Sequence, residues 1–210
     1  AVREAKEGKK SKALDKSLIR REESAFRRAQ KYVSSSNVAE LKNLLQGPMG
    51  KIIITLADAE GRTLLHLAAS EIGVSWYVMK HLLSTPGVEK ERTWGKESLT
   101  PIATAAKAGN VGALDALLKS GVDKEKPNAH GQTALYLAAK EGHADAVDAL
   151  LASGADPLRQ STARFTPLFI ARVGGYSRIV ESLLNQGGWM EVQDKASDLT
   201  ASSTRNTFSN

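Results

Sequence analysis

Residues 128–160 read NAHGQTALYLAAKEGHADAVDALLASGADPLRQ, and this stretch decides the fold. Thr133 opens an apolar run, Gly142 interrupts it, Leu150–Leu151 close a second run, and Gly154 follows. The same columns recur along the chain. Thr63, Thr100, Thr133 and Thr166 lie 37, 33 and 33 residues apart and open the runs TLLHLAA, TPIATAA, TALYLAA and TPLFIAR. Gly73, Gly109, Gly142 and Gly175 follow. The leucine pairs 82–83, 117–118, 150–151 and 183–184 come next, and Gly87, Gly121, Gly154 and Gly187 end the units. The period is four-fold, and each unit is short.

Each column has a physical reading. A Thr at the start of an apolar run is a helix N-cap, its hydroxyl accepting an otherwise orphaned backbone N–H. Pro101 and Pro167 follow directly, at the first helical position, where a missing donor does no harm. The mid-unit glycines supply the left-handed residue that ends a helix. Paired leucines on the second run fill the space between neighbours. No unit of this size buries its apolar face alone, so the units must stack as an all-α solenoid.

The segment 128–160 resembles an ankyrin repeat in length and motif, and residues 58–188 share the resemblance. Its T-P-L-H-x-A signature stands here as Thr63-Leu64-Leu65-His66-Leu67-Ala68, with Gly142-His143 at the inter-helix turn and Gly154-Ala155-Asp156 at the end. Departures are local. The motif His is Ala103, Tyr136 and Phe169 in the later units, and the fingertip Gly is Ser98 in the second and Arg164 in the fourth. Those two substitutions are expected to weaken their turns. The resemblance implies structural hydrogen bonds for His66 and His143. It also implies a non-catalytic protein–protein interaction module, an accessory or scaffold subunit of a larger assembly, with no cofactor and no small-molecule substrate.

The family's partners dock on the hairpin fingertips and the adjoining first helices. Carried over residue by residue, that surface is Glu60 and Arg62, then Lys96, Leu99 and Lys107, then His130, Gln132 and Lys140, then Phe165. Leu99 and Phe165 are the expected apolar anchors, since such side chains at water-facing tips mark contact surfaces.

Both flanks depart from the repeat. Asn37–Gln46, NVAELKNLLQ, parallels Asn110–Lys119, NVGALDALLK, and so resembles the second helix of a degenerate N-terminal repeat. Leu18, Ala25, Phe26, Ala29 and Val33 form an apolar stripe at helical spacing ahead of it. The organisation expected is a basic extension (1–35), a cap repeat (36–57), repeats at 58–94, 95–127, 128–160 and 161–188, and a polar tail (189–210). Trp189 is expected to close the last core.

Charge is concentrated at one end. The chain has 210 residues and a formal charge of +6, and its first 35 residues hold eleven basic and five acidic side chains. The extension therefore carries the whole excess. Lys9, Lys10, Lys12, Arg20, Arg21, Arg27 and Arg28 make it a candidate arm for protein, for RNA with salt-dependent affinity, or for an anionic membrane surface. A nucleic-acid-associated subunit, ribosome-bound for instance, is the alternative function. The interleaved acids argue against a mitochondrial transit peptide.

Other chemistries fare worse. The chain has no cysteine, which removes disulfide scaffolds, thiolate metal sites and cysteine nucleophiles, and points to an intracellular address in cytoplasm or an organelle. No apolar run approaches the length of a membrane span. Gly47-Pro48-Met49-Gly50-Lys51 has too few residues between its glycines, and no Ser or Thr after the Lys, for a phosphate loop, and reads as a turn. His66, His81, His130 and His143 lack the spacing of a helical ligand pair, so no metal is expected. No nucleophile, base and orienting group fall together, so no catalysis is expected.

Overall fold

The computed structural model of the chain describes residues 2–188, with side chains from 18 to 186. Eleven helices appear among the described residues: α1 (Val2–Ser34), α2 (Val38–Gln46), α3 (Gly50–Thr55), α4 (Leu64–Ser70), α5 (Trp76–Ser84), α6 (Pro101–Ala108), α7 (Val111–Lys119), α8 (Ala134–Glu141), α9 (Ala144–Ala152), α10 (Pro167–Val173) and α11 (Ser177–Leu183). A π turn, Leu184–Gly188, follows α11. The described residues form no strand; one antiparallel bridge joins Trp94 to Leu99.

Two rows of helices stack side by side. The inner row is α1, α4, α6, α8 and α10, and the outer row is α2, α5, α7, α9 and α11. Within each unit the inner helix also packs on the outer one. One continuous hydrophobic core runs from Ala25 to Leu183. Its inner layer is largely alanine (Ala68, Ala69, Ala105, Ala106, Ala138, Ala139, Ala171), which lets inner helices approach closely, and its outer layer is leucine (Leu82, Leu117, Leu150, Leu183). Each helix pair borrows half its interior from the next, so the core exists only as a stack.

The threonine column caps as its sequence position requires. The Oγ1 atoms of Thr100, Thr133 and Thr166 accept the amides of Ala103, Tyr136 and Phe169 at 3.3, 3.3 and 3.1 Å. Gly109 (φ 68°) and Gly142 (φ 80°) end α6 and α8 in the left-handed conformation. Gly73 does not do this for α4. That helix stops at Ser70, its C-cap Glu71 is extended, and Gly73 sits in the following turn. At the end of α10 the C-cap Gly174 is still right-handed, and the left-handed conformation falls on Gly175 (φ 71°) directly after it.

The N-terminal unit differs from the organisation read in the sequence. A single helix, α1, carries both the basic extension and the inner helix of the cap unit, so the chain has no break at residue 35. Ala25, Phe26, Ala29 and Val33 are buried against α2, α3 and α4, whereas Leu18 is half exposed, because the 33-residue α1 runs on past these shorter helices. Gly47–Met49 is a turn, but the following residues coil into α3, which buries Ile53 and Ile54. A Cβ at Gly50 would collide with the Leu45 carbonyl, so the first residue of α3 must be glycine. Trp189 and the polar tail lie outside the described residues.

Candidate functional site

Between outer helix and next inner helix the chain projects a finger, and four fingers line one edge of the stack. In the first, Asp58 Oδ1 accepts the amides of Glu60 (3.0 Å) and Arg62 (2.9 Å), and the Asp58 amide donates to the Arg62 carbonyl (2.9 Å). In the third, Asn128 does the same for His130 and Gln132, both through its Oδ1. Ser161 holds the fourth finger, its hydroxyl accepting from the Phe165 amide at 3.4 Å. A short side-chain acceptor at this column closes the turn.

Single backbone bonds tie each finger to the next. Gly95 N–H donates to the Glu60 carbonyl (3.2 Å), Ala129 N–H to Glu97 (2.9 Å), and Thr162 N–H to His130 (3.0 Å). His66 adds a deeper tie. Its Nδ1 accepts the Thr63 amide at 3.3 Å, and its Nε2–H donates to the Leu99 carbonyl of the next finger at 3.2 Å. Burial is the main reason that its pKa is pushed down to about 4, so the ring is neutral and the tautomer is fixed by these partners. His143 makes a related tie between the second and third repeats, its Nε2 donating to the Lys107 carbonyl (3.1 Å). Both histidines thus serve as structural groups, as the family resemblance implies.

The second finger departs from the pattern. Trp94 takes the structural place of Asp58 and Asn128, and its amide and carbonyl bridge Leu99 in both directions (3.0 Å each). Its indole N–H donates to Thr104 Oγ1 on α6 (2.9 Å), which folds the ring down between finger and helix. A pocket of about 320 Å³ opens beside it, lined by Ser70, Trp94, Lys96, Glu97, Thr104 and Lys107 among others. Glu97 faces Lys107 at 2.7 Å. That hydrogen bond, reinforced by the charges of Lys107, Lys140 and His130, outweighs burial and holds the Glu97 carboxyl below the usual carboxylate range.

The residues expected from the sequence divide three ways. Lys96, His130 and Lys140 are exposed along the finger edge, and Lys107 lies among them, paired to Glu97. Glu60 is exposed at the first tip; Arg62 and Gln132 instead close their own fingers, Arg62 on Asp58 (2.8 Å) and Gln132 on Asn128 (3.1 Å). The Arg62 guanidinium also covers the Trp94 ring at 5.4 Å. For the Asp58 carboxyl, burial acts upward, and the bonds from Arg62 and Glu60 win and lower it.

The two apolar anchors fare differently. Leu99 is not an outward anchor: it is 5% exposed and packs with Ala103, Leu137 and Trp94 beneath the fingers. The second finger is longer than the others, so the residue before the Thr turns inward rather than out. Phe165 stays 40% exposed and stacks on Phe169, ring centroids 4.5 Å apart. Trp94 has no signal in the aligned repeats, because it lies six residues before Thr100 whereas Asp58, Asn128 and Ser161 lie five before their Thr.

On α1, Arg20, Arg27, Arg28 and Lys31 share one face with Glu23 and Ser24 and line a shallow polar cleft opposite the buried stripe. Arg21 is also exposed. Lys9, Lys10 and Lys12 fall on the same helix, with side chains outside those described. Among the described residues no helix is long and apolar enough to cross a membrane, and no three His, Asp or Glu side chains gather as a metal set.

No curated protein matches the chain. A family model described as ankyrin repeats (3 copies) matches residues 65–161, from α4 through α9 to the start of the fourth finger. The helix pairs on either side, α1–α2 and α10–α11, extend the same two rows, and the fold is an all-α ankyrin-repeat solenoid.

Proposed function

We propose that this chain is a non-catalytic accessory or scaffold subunit that grips a partner protein along its finger edge. Ankyrin repeats are protein–protein interaction modules. The single observation that carries the finer reading is the pocket beside Trp94. It is mostly apolar in lining, framed by the inter-finger bonds, and rimmed by Lys96 and Lys107, with the charge of Lys140 acting on Glu97 beside it. An apolar recess within a charged rim suits an anchoring side chain of a folded partner or a bound segment.

Tagged chain isolated from its own source tests this reading against Lys107→Glu/Lys140→Glu. These exposed or half-exposed cations can be reversed without touching the core. The wild-type chain should retain a defined set of proteins that the variant loses, with an unchanged far-UV spectrum. Equal recovery by both would sink the finger edge as the docking surface.

The basic face of α1 supports a second reading, contact with a polyanion such as RNA. Arg20, Arg27, Arg28 and Lys31 project together with no ion pair to any described residue. Removing residues 1–35 would also remove buried Ala25, Phe26, Ala29 and Val33. The clean variant is therefore Arg20→Glu/Arg27→Glu/Arg28→Glu. RNA binding that weakens with salt and vanishes in this variant would favour the second reading.

A further inference from the structure

The outer row carries a pattern that the finger edge does not explain. Its helices align position by position, and the fifth residue of each faces outward: Lys42 on α2, Lys80 on α5, Asp115 on α7, Asp148 on α9 and Glu181 on α11. The sign changes once, between α5 and α7. At that same place lies a largely apolar groove of about 350 Å³, lined by Trp76, Lys80, Leu83, Ala116 and Lys119. Tyr77 stands beside it, 67% exposed, while the corresponding residue of α7 is Gly112.

We propose that this face binds a second copy of the chain about a two-fold axis that runs parallel to the helices in the α5–α7 groove. The choice of axis follows from charge. A two-fold along the stacking direction would set Lys42 on Lys42, Lys80 on Lys80 and Asp115 on Asp115. A two-fold along the helices sets α5 against α7 of the other copy at equal height. Lys80 then meets Asp115, Lys42 meets Asp148, and protruding Tyr77 meets the bare backbone of Gly112. Each contact occurs twice, as an isologous interface requires.

The cations are available for this. Neither Lys42 nor Lys80 has an acidic partner among the described residues; Lys80 lies over the Trp76 ring at 4.9 Å. Asp115 is held by Lys119 (2.7 Å) and Asp148 by Arg178 (3.0 Å). Both are exposed surface pairs, which exchange partners at little cost. Four outer helices, each about 14 Å long and about 9 Å apart, cover about 500 Å² a side, or about 1,000 Å² in all, the lower edge of a specific interface. The dimer is therefore weak and dependent on concentration.

Sedimentation velocity on the 210-residue chain across the micromolar range tests it. The mass should climb from 22.5 kDa toward twice that value. Lys80→Glu and Asp115→Lys should each lower the association constant at least about tenfold, because two attractive contacts become repulsive. The combined K80E/D115K variant should return to within about threefold of the parent, since the charges are merely exchanged. Far-UV spectra of all three should match the parent. A monomer at every concentration, or a combined variant no better than the single variants, would overturn the proposal.

Discussion

The first and third repeats finish their inner helices by different means. In the third, Gly142 takes the left-handed conformation, and its amide returns to the Ala138 carbonyl. In the first, the corresponding turn is extended at Glu71 and no glycine caps the helix. The carbonyls of Ala68, Ala69 and Glu71 are met instead by one group from the next repeat, the Asn110 side-chain amide, at 3.4, 3.3 and 3.0 Å. A local device in one repeat is replaced by a non-local one in the other. The first repeat is consequently coupled more tightly to its neighbour, through Asn110 and also through His66, whose place in the third repeat is held by Tyr136.

Acid should separate the two repeats most sharply. His66 has a folded pKa of about 4 and an ordinary value near 6.5, so the unfolded chain takes up a proton that the folded chain refuses. Its contribution is whole above pH 6.5 and is lost as pH falls toward 4. Between pH 7 and 4.5 the loss is about 2–3 kcal/mol. His81, also lowered chiefly by burial, acts in the same direction, and comparison with His66→Gln removes its share. Denaturant titrations of the two chains across this range should show a flatter pH dependence in the variant. Parallel curves would mean that His66 is not the group refusing the proton.

Asn110→Ala comes next. It strips three carbonyls of one shared donor and removes the N-cap acceptor of the Ala113 amide, 3.0 Å away. The cost is about 2 kcal/mol, from the cap and the carbonyls left in a half-buried turn. Installing a glycine at Glu71 in that background tests whether a local cap can stand in. Recovery of about half the loss would show that the two devices are interchangeable. No recovery would show that the inter-repeat bond matters for stacking rather than for ending α4.

These two positions also mark what a linear reading reaches. The repeat period, the Thr caps and the leucine pairs are local or strictly periodic signals, and they locate every helix from α4 to α11. Asn110 is legible as the N-cap of α7, because that role involves Ala113, three residues on. Its second role, across about forty residues to α4, has no local signature. Leu99 was misplaced for the same reason. Its burial depends on Trp94 folding down against it and on Leu137 of the next repeat packing with it. The outer-row charge pattern lay in the sequence, but it acquires meaning only once five outer helices are known to lie side by side.

The smallest effect comes from installing glycine in the finger turns, where the third repeat again provides the reference. Gly131 sits at φ 69°, and Ser98 and Arg164 occupy the equivalent left-handed positions at 53° and 61°. Side chains there carry a steric cost that glycine lacks, partly offset by glycine's greater freedom in the unfolded chain. Ser98→Gly and Arg164→Gly should each raise stability by about 0.5 kcal/mol. The reverse change at the third finger is not symmetric. A Cβ on Gly131 would lie 2.7 Å from the Thr162 backbone nitrogen, the atom that donates to His130 and joins the fingers. Gly131→Ala should therefore cost about 2 kcal/mol, several times what the φ angle alone would take. If Gly131→Ala and Arg164→Gly instead shift stability by equal and opposite amounts, backbone strain accounts for both. The close approach of the third and fourth fingers would then have no energetic weight.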